Sequence, residues 1–203
     1  MTTISAEQVK ELRERTGAGL MECKKALQET NGDIDEALTI LRKWGKATAA
    51  KKSGRFTTEG LVEAYIHPGG RVGVLIEVNC ETDFVSNTDE FKSLTRDIAM
   101  QVAAASPSPA RWVSRDEVPA DALDKERKIL KSQAEESGKP AKVVEKIVEG
   151  RLSKFYSENV LLEQAFIKNP DQSVHDYLTS KIAVLKENIK VRRFVRFERG
   201  EAV

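Results

Sequence analysis

Two cysteines, two histidines and no excess of either charge limit what this 203-residue sequence can be. Cys23 and Cys80 lie far apart and fit neither a CxxC pair nor a zinc-ligand spacing. They read as reduced thiols of a cytosolic protein, with a bridge between chains left open. Thirty-three Lys and Arg against 32 Asp and Glu leave a net charge of +1. Binding driven by phosphate contacts relies on a concentrated basic excess, so no direct nucleic-acid partner is expected. No run approaches the ~20 apolar residues of a membrane helix. The start, from Met1 to Glu7, lacks the basic-then-apolar pattern of a secretory signal. A soluble, cytoplasmic chain without a membrane partner is the expectation.

Catalytic signatures are missing too. There is no GxxxxGK[ST] phosphate loop, no HExxH, no GxSxG and no cysteine cluster. His67 and His175 stand alone and read as surface residues rather than general bases. The acidic residues mostly occupy expected helix caps and solvent faces. The pattern points to a binding or regulatory protein, not an enzyme, with no cofactor and no metal site.

What is present is an ordinary globular composition, 40% apolar and 32% charged. The first 45 residues read as three short helices. Ser5 and Gln8 form a capping box, Ile4 can staple onto Val9, and Gly17 is a suitable terminator. The second helix is expected from about Leu20 to Thr30, with Leu20, Cys23 and Leu27 on one face and Asn31-Gly32 as its stop. Asp33 caps the third, with Glu36 at the reciprocal position and Ile34, Ala37, Leu38, Leu41 and Trp44 facing inward. The Lys- and Ala-rich stretch from Gly45 to Gly54 reads as a solvated linker or frayed helix rather than a phosphate-binding patch. A boundary near residue 54 follows, giving an N-terminal module over 1–54 and a core over 55–203.

The pattern then switches to strands. Leu61 to Ile66 and Val72 to Val78 are rich in β-branched and apolar residues, and they flank a hairpin turn at His67-Pro-Gly-Gly-Arg71. A lone hairpin is marginal in water, so a third strand over Ile189–Phe197 is expected to complete the sheet. Between them, Asn87 with Glu90 caps a helix bearing Phe91, Leu94, Ile98, Val102 and Ala105, and Pro107 and Pro109 end that region. An amphipathic helix over 120–137 has Leu123, Ile129 (or the stem of Arg127) and Leu130 as its buried edge and is closed by Gly138. Pro140 opens a helix with Val143, Val144, Ile147 and Leu152, and Ser173 starts another with Val174, Tyr177, Leu178, Ile182 and Leu185. The expected class is α+β: a three-helix module, then a small antiparallel sheet packed by helices.

The segment Asn79 to Thr88 lies where the second strand ends and a long helix begins. Two readings fit it. Phe84 and Val85 can tuck into the joint while Thr82 or Asp83 caps a first turn, which composition favours. Alternatively, Phe84 is an exposed aromatic beside a carboxylate, able to enter a partner's cleft. Periodicity does not choose between them. The basic run Lys190, Arg192, Arg193, Arg196 and Arg199, with Phe194 and Phe197 interleaved, also has two readings. It suits an RNA-stacking strand, but more economically a charged edge that guards against strand pairing.

Val9 to Leu27, then Asn31-Gly-Asp33, resembles the N-terminal signature of the elongation factor Ts family. Glu77 to Val85 resembles that family's second signature, with its Thr-Asp-Phe-Val core. Gly138-Lys-Pro140, Glu145 to Leu152 and Leu161 to Gln164 are similar to further family segments in the same order. The resemblance implies a ubiquitin-associated-like fold for 1–54 and a partner, the GTPase elongation factor Tu. It implies a guanine-nucleotide exchange role in which Thr82, Asp83, Phe84 and Val85 intrude beside the partner's magnesium and phosphate site. Phe84 would wedge between partner helices, and exposed members of Leu12, Leu20 and Met21 would grip the GTPase domain. Longer family members carry two related core halves and an inserted coiled coil. This chain resembles the short members, which implies a homodimer. The competing reading is an adaptor that uses the three-helix module to hold another partner, without exchange activity.

Overall fold

The computed structural model describes residues 4–136 and 140–201. Among these the order is α1 (Ala6–Thr16), α2 (Leu20–Glu29), α3 (Ile34–Lys52), β1 (Glu59–Ile66), β2 (Val72–Cys80), α4 (Asp83–Ser86), α5 (Asp89–Ala104), α6 (Ala120–Glu135), α7 (Ala141–Asn159), β3 (Ala165–Phe166), β4 (Asn169–Ser173), α8 (Val174–Leu185) and β5 (Lys190–Glu198). The class is α+β, as expected. The sheet runs β1-β2-β5, so the last strand does complete it. A second, two-stranded sheet, β3-β4, has no counterpart in the sequence reading. The expected closure of α6 by Gly138 lies outside the described residues.

The chain divides into two compact units. One comprises Met1–Leu61, Val78–Leu94 and Asp176–Lys190; the other comprises Val62–Glu77, Thr95–His175 and Val191–Val203.

In the first unit, the caps act where expected. Ser5 Oγ accepts the Gln8 N–H while the Gln8 side chain accepts the Ser5 N–H, and Gly17 ends α1 at φ +68°. Asp33 accepts the Glu36 N–H at 2.9 Å. Val9, Leu12, Cys23, Ala26, Leu27 and Ala37 form the buried core of α1–α3, with Ile34, Leu38, Leu41 and Trp44 packed against it. Leu20 departs from the expected inner face of α2. It stands at the helix start, before the first full turn has closed over the core, and is 54% exposed. Nor does a linker begin at Gly45. Helix α3 continues to Lys52, because Gly45 lies where an added Cβ would come within 3.3 Å of Ala183 in α8, and Lys46 pairs with Asp176 at 3.1 Å. Close approach of a second helix holds those turns helical.

Strand β2 alternates as a half-buried strand should: Val74, Ile76, Val78 and Cys80 are buried, whereas Leu75 is exposed. Gly60, at φ +147°, tolerates a close pass of β2, since an added Cβ would meet the Val78 carbonyl oxygen at 2.2 Å. The hairpin turn closes with the His67 N–H on the Val72 carbonyl, and Gly69 and Gly70 both take positive φ.

Helix α5 buries Phe91, Leu94, Ile98 and Val102. Thr88 caps it by accepting the Phe91 N–H at 3.2 Å. Asn87, expected in that role, instead donates to the Asp83 carbonyl and closes the preceding turn. In the second unit, α6 and α7 share a small cluster of Leu130, Ala134, Val144, Val148 and Leu152, with Leu123 and Ile147 alongside. Ile129 and Val143 are exposed instead of buried. The i, i+4 stripes Leu130–Ala134 and Val144–Val148–Leu152 take the inner face, which turns their neighbours outward. Two fully buried glutamines tie the loops of this unit. Gln101 donates to Gln164 Oε1 and the Ala165 carbonyl and accepts the Ile167 N–H, while Gln164 donates to the carbonyls of Ser108 and Glu158.

The fold gives Leu12 and Met21, two apolar residues of the same module, different roles. Leu12→Ala is expected to cost about 2–5 kcal/mol by opening a cavity in the three-helix core. Met21→Ala is expected to stay within about 0.5 kcal/mol. Urea midpoints at constant slope measure both.

Candidate functional site

The strand-to-helix corner begins where β2 releases the chain at Cys80 and ends where α5 starts. Thr82 is extended and caps α4, its hydroxyl oxygen accepting the Val85 N–H at 3.4 Å. Asp83 to Ser86 make one helical turn. Thr88 donates to the Val85 carbonyl at 2.7 Å and so joins the end of that turn to the start of α5. A turn this short has no stability of its own, since helix nucleation is unfavourable below several turns. Its shape must be imposed from outside.

Glu187 imposes it. Its carboxylate accepts the N–H groups of Glu81 and Thr82, each at 3.1 Å, and the Thr82 hydroxyl at 2.6 Å. The next residue, Asn188, is buried; its N–H donates to Glu81 Oε1 at 2.6 Å and its amide donates to the Arg55 carbonyl at 2.8 Å. Arg55 in turn pairs with Glu81 at 3.2 Å. Burial acts to raise the Glu81 pKa, but the Asn188 N–H and the Arg55 guanidinium outweigh it and hold the group below its ordinary value. The stability this carboxylate contributes is therefore complete above the ordinary glutamate range and lost as the pH falls through the lowered value.

Lys186, just before, reaches Glu22 at 2.7 Å, and Glu22 also accepts the Gly19 N–H at the start of α2. The Lys186 hydrogen bond is the main cause of a lowered Glu22 pKa. Three consecutive residues thus fasten α2, the corner and the segment after α3. Lys186 takes φ +59°, an uncommon left-handed conformation for a side-chain-bearing residue, as the chain leaves α8.

Cys80 lies beneath the corner, buried, with Sγ donating to the Thr82 carbonyl at 3.1 Å. Burial, and then the charge of Glu187, push its pKa up to about 11. It is a neutral thiol at physiological pH and not a nucleophile. Cys23 is also free and buried.

The corner displays its aromatic outward. Phe84 is 83% exposed, Asp83 is exposed and Val85 is half-buried. Of the two readings open in the sequence, the tucked phenylalanine fails. The carboxylate clamp occupies the joint and Ser86 takes the inward position of the turn. Of the three N-terminal positions, Leu20 and Met21 are exposed, at 54% and 72%, whereas Leu12 is wholly buried in the module core. Leu12 is therefore support rather than surface.

Glu187 and Asn188 escaped the sequence reading. They lie more than a hundred residues from their partners, and a Lys-Glu-Asn run after a helix resembles an ordinary polar exit. Among the described residues no group of three or more His, Cys, Asp or Glu is placed to hold a metal ion. Among them, too, no helix is long and apolar enough to cross a membrane.

A family model described as Elongation factor TS matches residues 1–201. The chain is 64% identical over 200 residues to the elongation factor Ts of Carboxydothermus hydrogenoformans, covering 98% of this chain and 91% of that protein. It is 62% identical to the elongation factor Ts of Thermoanaerobacter sp. (strain X514) and 60% identical to that of Moorella thermoacetica, each over 98% of this chain and 97% of the relative. With a match of that length and identity, and with the Thr-Asp-Phe-Val core on an outward corner, the chain belongs to the elongation factor Ts family.

Proposed function

We propose that this translation elongation factor is a guanine-nucleotide exchange factor, binding elongation factor Tu in its GDP form and hastening GDP release. The observation that carries the reading is Phe84, an exposed phenylalanine on a one-turn helix whose backbone is clamped by Glu187. A large apolar side chain held in water at a defined position is an anchor in search of a cleft.

The mechanism needs no covalent step. Magnesium in a GTPase site demands near-ideal octahedral geometry and bridges phosphate oxygens to protein. Inserting Phe84 between elements of the partner, with the Asp83 carboxylate alongside, displaces the groups that support that shell. GDP retention then weakens. Exchange follows only if the factor binds the nucleotide-free GTPase more tightly than the GDP-bound one, and by linkage GDP then weakens the factor's own binding by the same ratio. Rigidity matters here, because a loose corner would lose binding energy to its own ordering. Leu20 and Met21, exposed at the start of α2, provide a second contact on the GTPase domain, with Leu12 holding α1 beneath them.

The partner set includes a second copy of this chain. In the second unit, one face of the sheet carries exposed Val62, Ile66, Leu75, Val195 and Phe197. An added Cβ at Gly73 would come within 3.1 Å of Ile66, and Arg193 pairs with Glu77 at 2.7 Å, so β1, β2 and β5 present these residues on the same side. An apolar face that carries an ion pair of its own can meet a second copy of itself across a two-fold axis.

Three outcomes test the reading. Asp83→Ala/Phe84→Ala should reduce stimulated release of fluorescent GDP from elongation factor Tu at least tenfold with the circular dichroism spectrum unchanged; undiminished release removes the mechanism. Glu187→Gln should lower the exchange rate several-fold and speed hydrogen exchange at the Glu81 and Thr82 amides, since each charge-assisted bond contributes about 1.5–3 kcal/mol. Light scattering should give twice the 22.6 kDa chain mass for the wild type and the single mass for Leu75→Glu; a monomeric wild type with full exchange activity disposes of the dimer.

A further inference from the structure

We propose that Phe56 is a further aromatic contact for the GTPase, set beside Phe84 on one partner-facing surface that residues 186–188 organise. The proposal rests on the exchange-factor reading and extends its contact surface. Phe56 follows α3 in the stretch leading to β1 and is 90% exposed, more than any other large apolar side chain among the described residues. An isolated exposed aromatic on a slack linker needs no explanation. This one is not slack.

Both neighbours of Phe56 are tied to the corner that presents Phe84. On one side, the Arg55 carbonyl accepts the Asn188 amide at 2.8 Å and the Arg55 guanidinium pairs with Glu81 at 3.2 Å. On the other, the Thr57 carbonyl accepts the Asn79 amide at 3.4 Å. The Ser53 carbonyl accepts the same Asn188 amide at 3.4 Å. Glu81 and Asn79 lie just ahead of Thr82, so the backbone holding Phe56 and the backbone holding Phe84 share their supports. The side chain itself is left in water.

The arrangement repeats a rule. Lys186 fastens Glu22, next to exposed Leu20 and Met21; Glu187 fastens Thr82, two residues before exposed Phe84; Asn188 fastens Arg55, one residue before exposed Phe56. Of the triplet, Glu187 and Asn188 pin backbone directly beside a solvent-facing apolar group, and Lys186 does so at one remove, through the Glu22 carboxylate that accepts the Gly19 N–H. Pre-ordered apolar groups bind at lower entropic cost than flexible ones, and phenylalanine adds area with few rotamers. An apolar contact made equally in the GDP-bound and nucleotide-free states contributes affinity without driving exchange. That separates Phe56 from the intruding Phe84.

The test is GDP release from elongation factor Tu at varied concentrations of full-length factor. Phe56→Ala should raise the concentration for half-maximal stimulation about tenfold and leave the maximal rate within twofold. Phe56→Leu should recover most of that loss. Phe84→Ala should instead lower the maximal rate. Thermal unfolding of Phe56→Ala within 2 °C of the wild type would show that the loss lies in binding. A half-maximal concentration unchanged by Phe56→Ala, with Phe84→Ala impaired, overturns this inference and leaves the exchange role standing. Unchanged behaviour of both variants overturns the two together. A Phe56→Ala loss confined to the maximal rate, or accompanied by lowered thermal stability, also overturns it.

Discussion

The Glu187 carboxylate, with three donors gathered on it, is the contact without which the corner has no defined shape. A four-residue helix cannot hold itself, and the strand that precedes it ends at Cys80. Two N–H groups and a hydroxyl converge on one charged acceptor, and hydrogen bonds to an ionised group are stronger than those between neutral groups. By contrast, Lys186–Glu22 is solvent-exposed on both sides and contributes at most about 1 kcal/mol. The triplet is therefore unequal in energy though consistent in placement: a strong central clamp flanked by a weak ion pair and by a buried amide on backbone carbonyls.

Local rules were legible and distant ones were not. The caps at Ser5 and Asp33 are signals between residues three positions apart, and each was readable because both partners lie within one turn. Density of β-branched and apolar residues located β1 and β2, and the marginal stability of a lone hairpin pointed to β5 as its completion. Where several candidates lay within two residues, spacing alone misassigned them. Thr88 rather than Asn87 caps α5, and Ala134 rather than Ile129 completes the α6 stripe. Leu20 matched the helical period yet is exposed, because periodicity says nothing about where the partner helices stop covering a face. The clamp at Glu187 is of another kind. It depends on α8 delivering the residues that follow it to a corner more than a hundred positions earlier, which no local pattern encodes.

The surface choices run against solubility and need a compensating use. Phe84, Phe56 and the outer sheet face leave large apolar groups in water, which a monomer with no contacts to make would not retain in such number. Their supports are polar and short-range, so the groups can be exposed without being mobile. The two thiols are buried, and the carboxylates of Glu187 and Glu81 are engaged in holding backbone, which leaves Asp83 exposed at the corner.

The corner's dependence on residues 186–188 has a consequence for how the chain comes into being. The α1–α3 core draws only on residues before position 53, so it can form while synthesis continues. The Thr82–Val85 turn emerges soon after but stays without its clamp until α8 and the residues beyond it have been made. A nascent chain therefore acquires its three-helix core early and a defined corner late. Truncated products that lack the last twenty residues would carry a sound three-helix module and a corner unable to hold its aromatic in place.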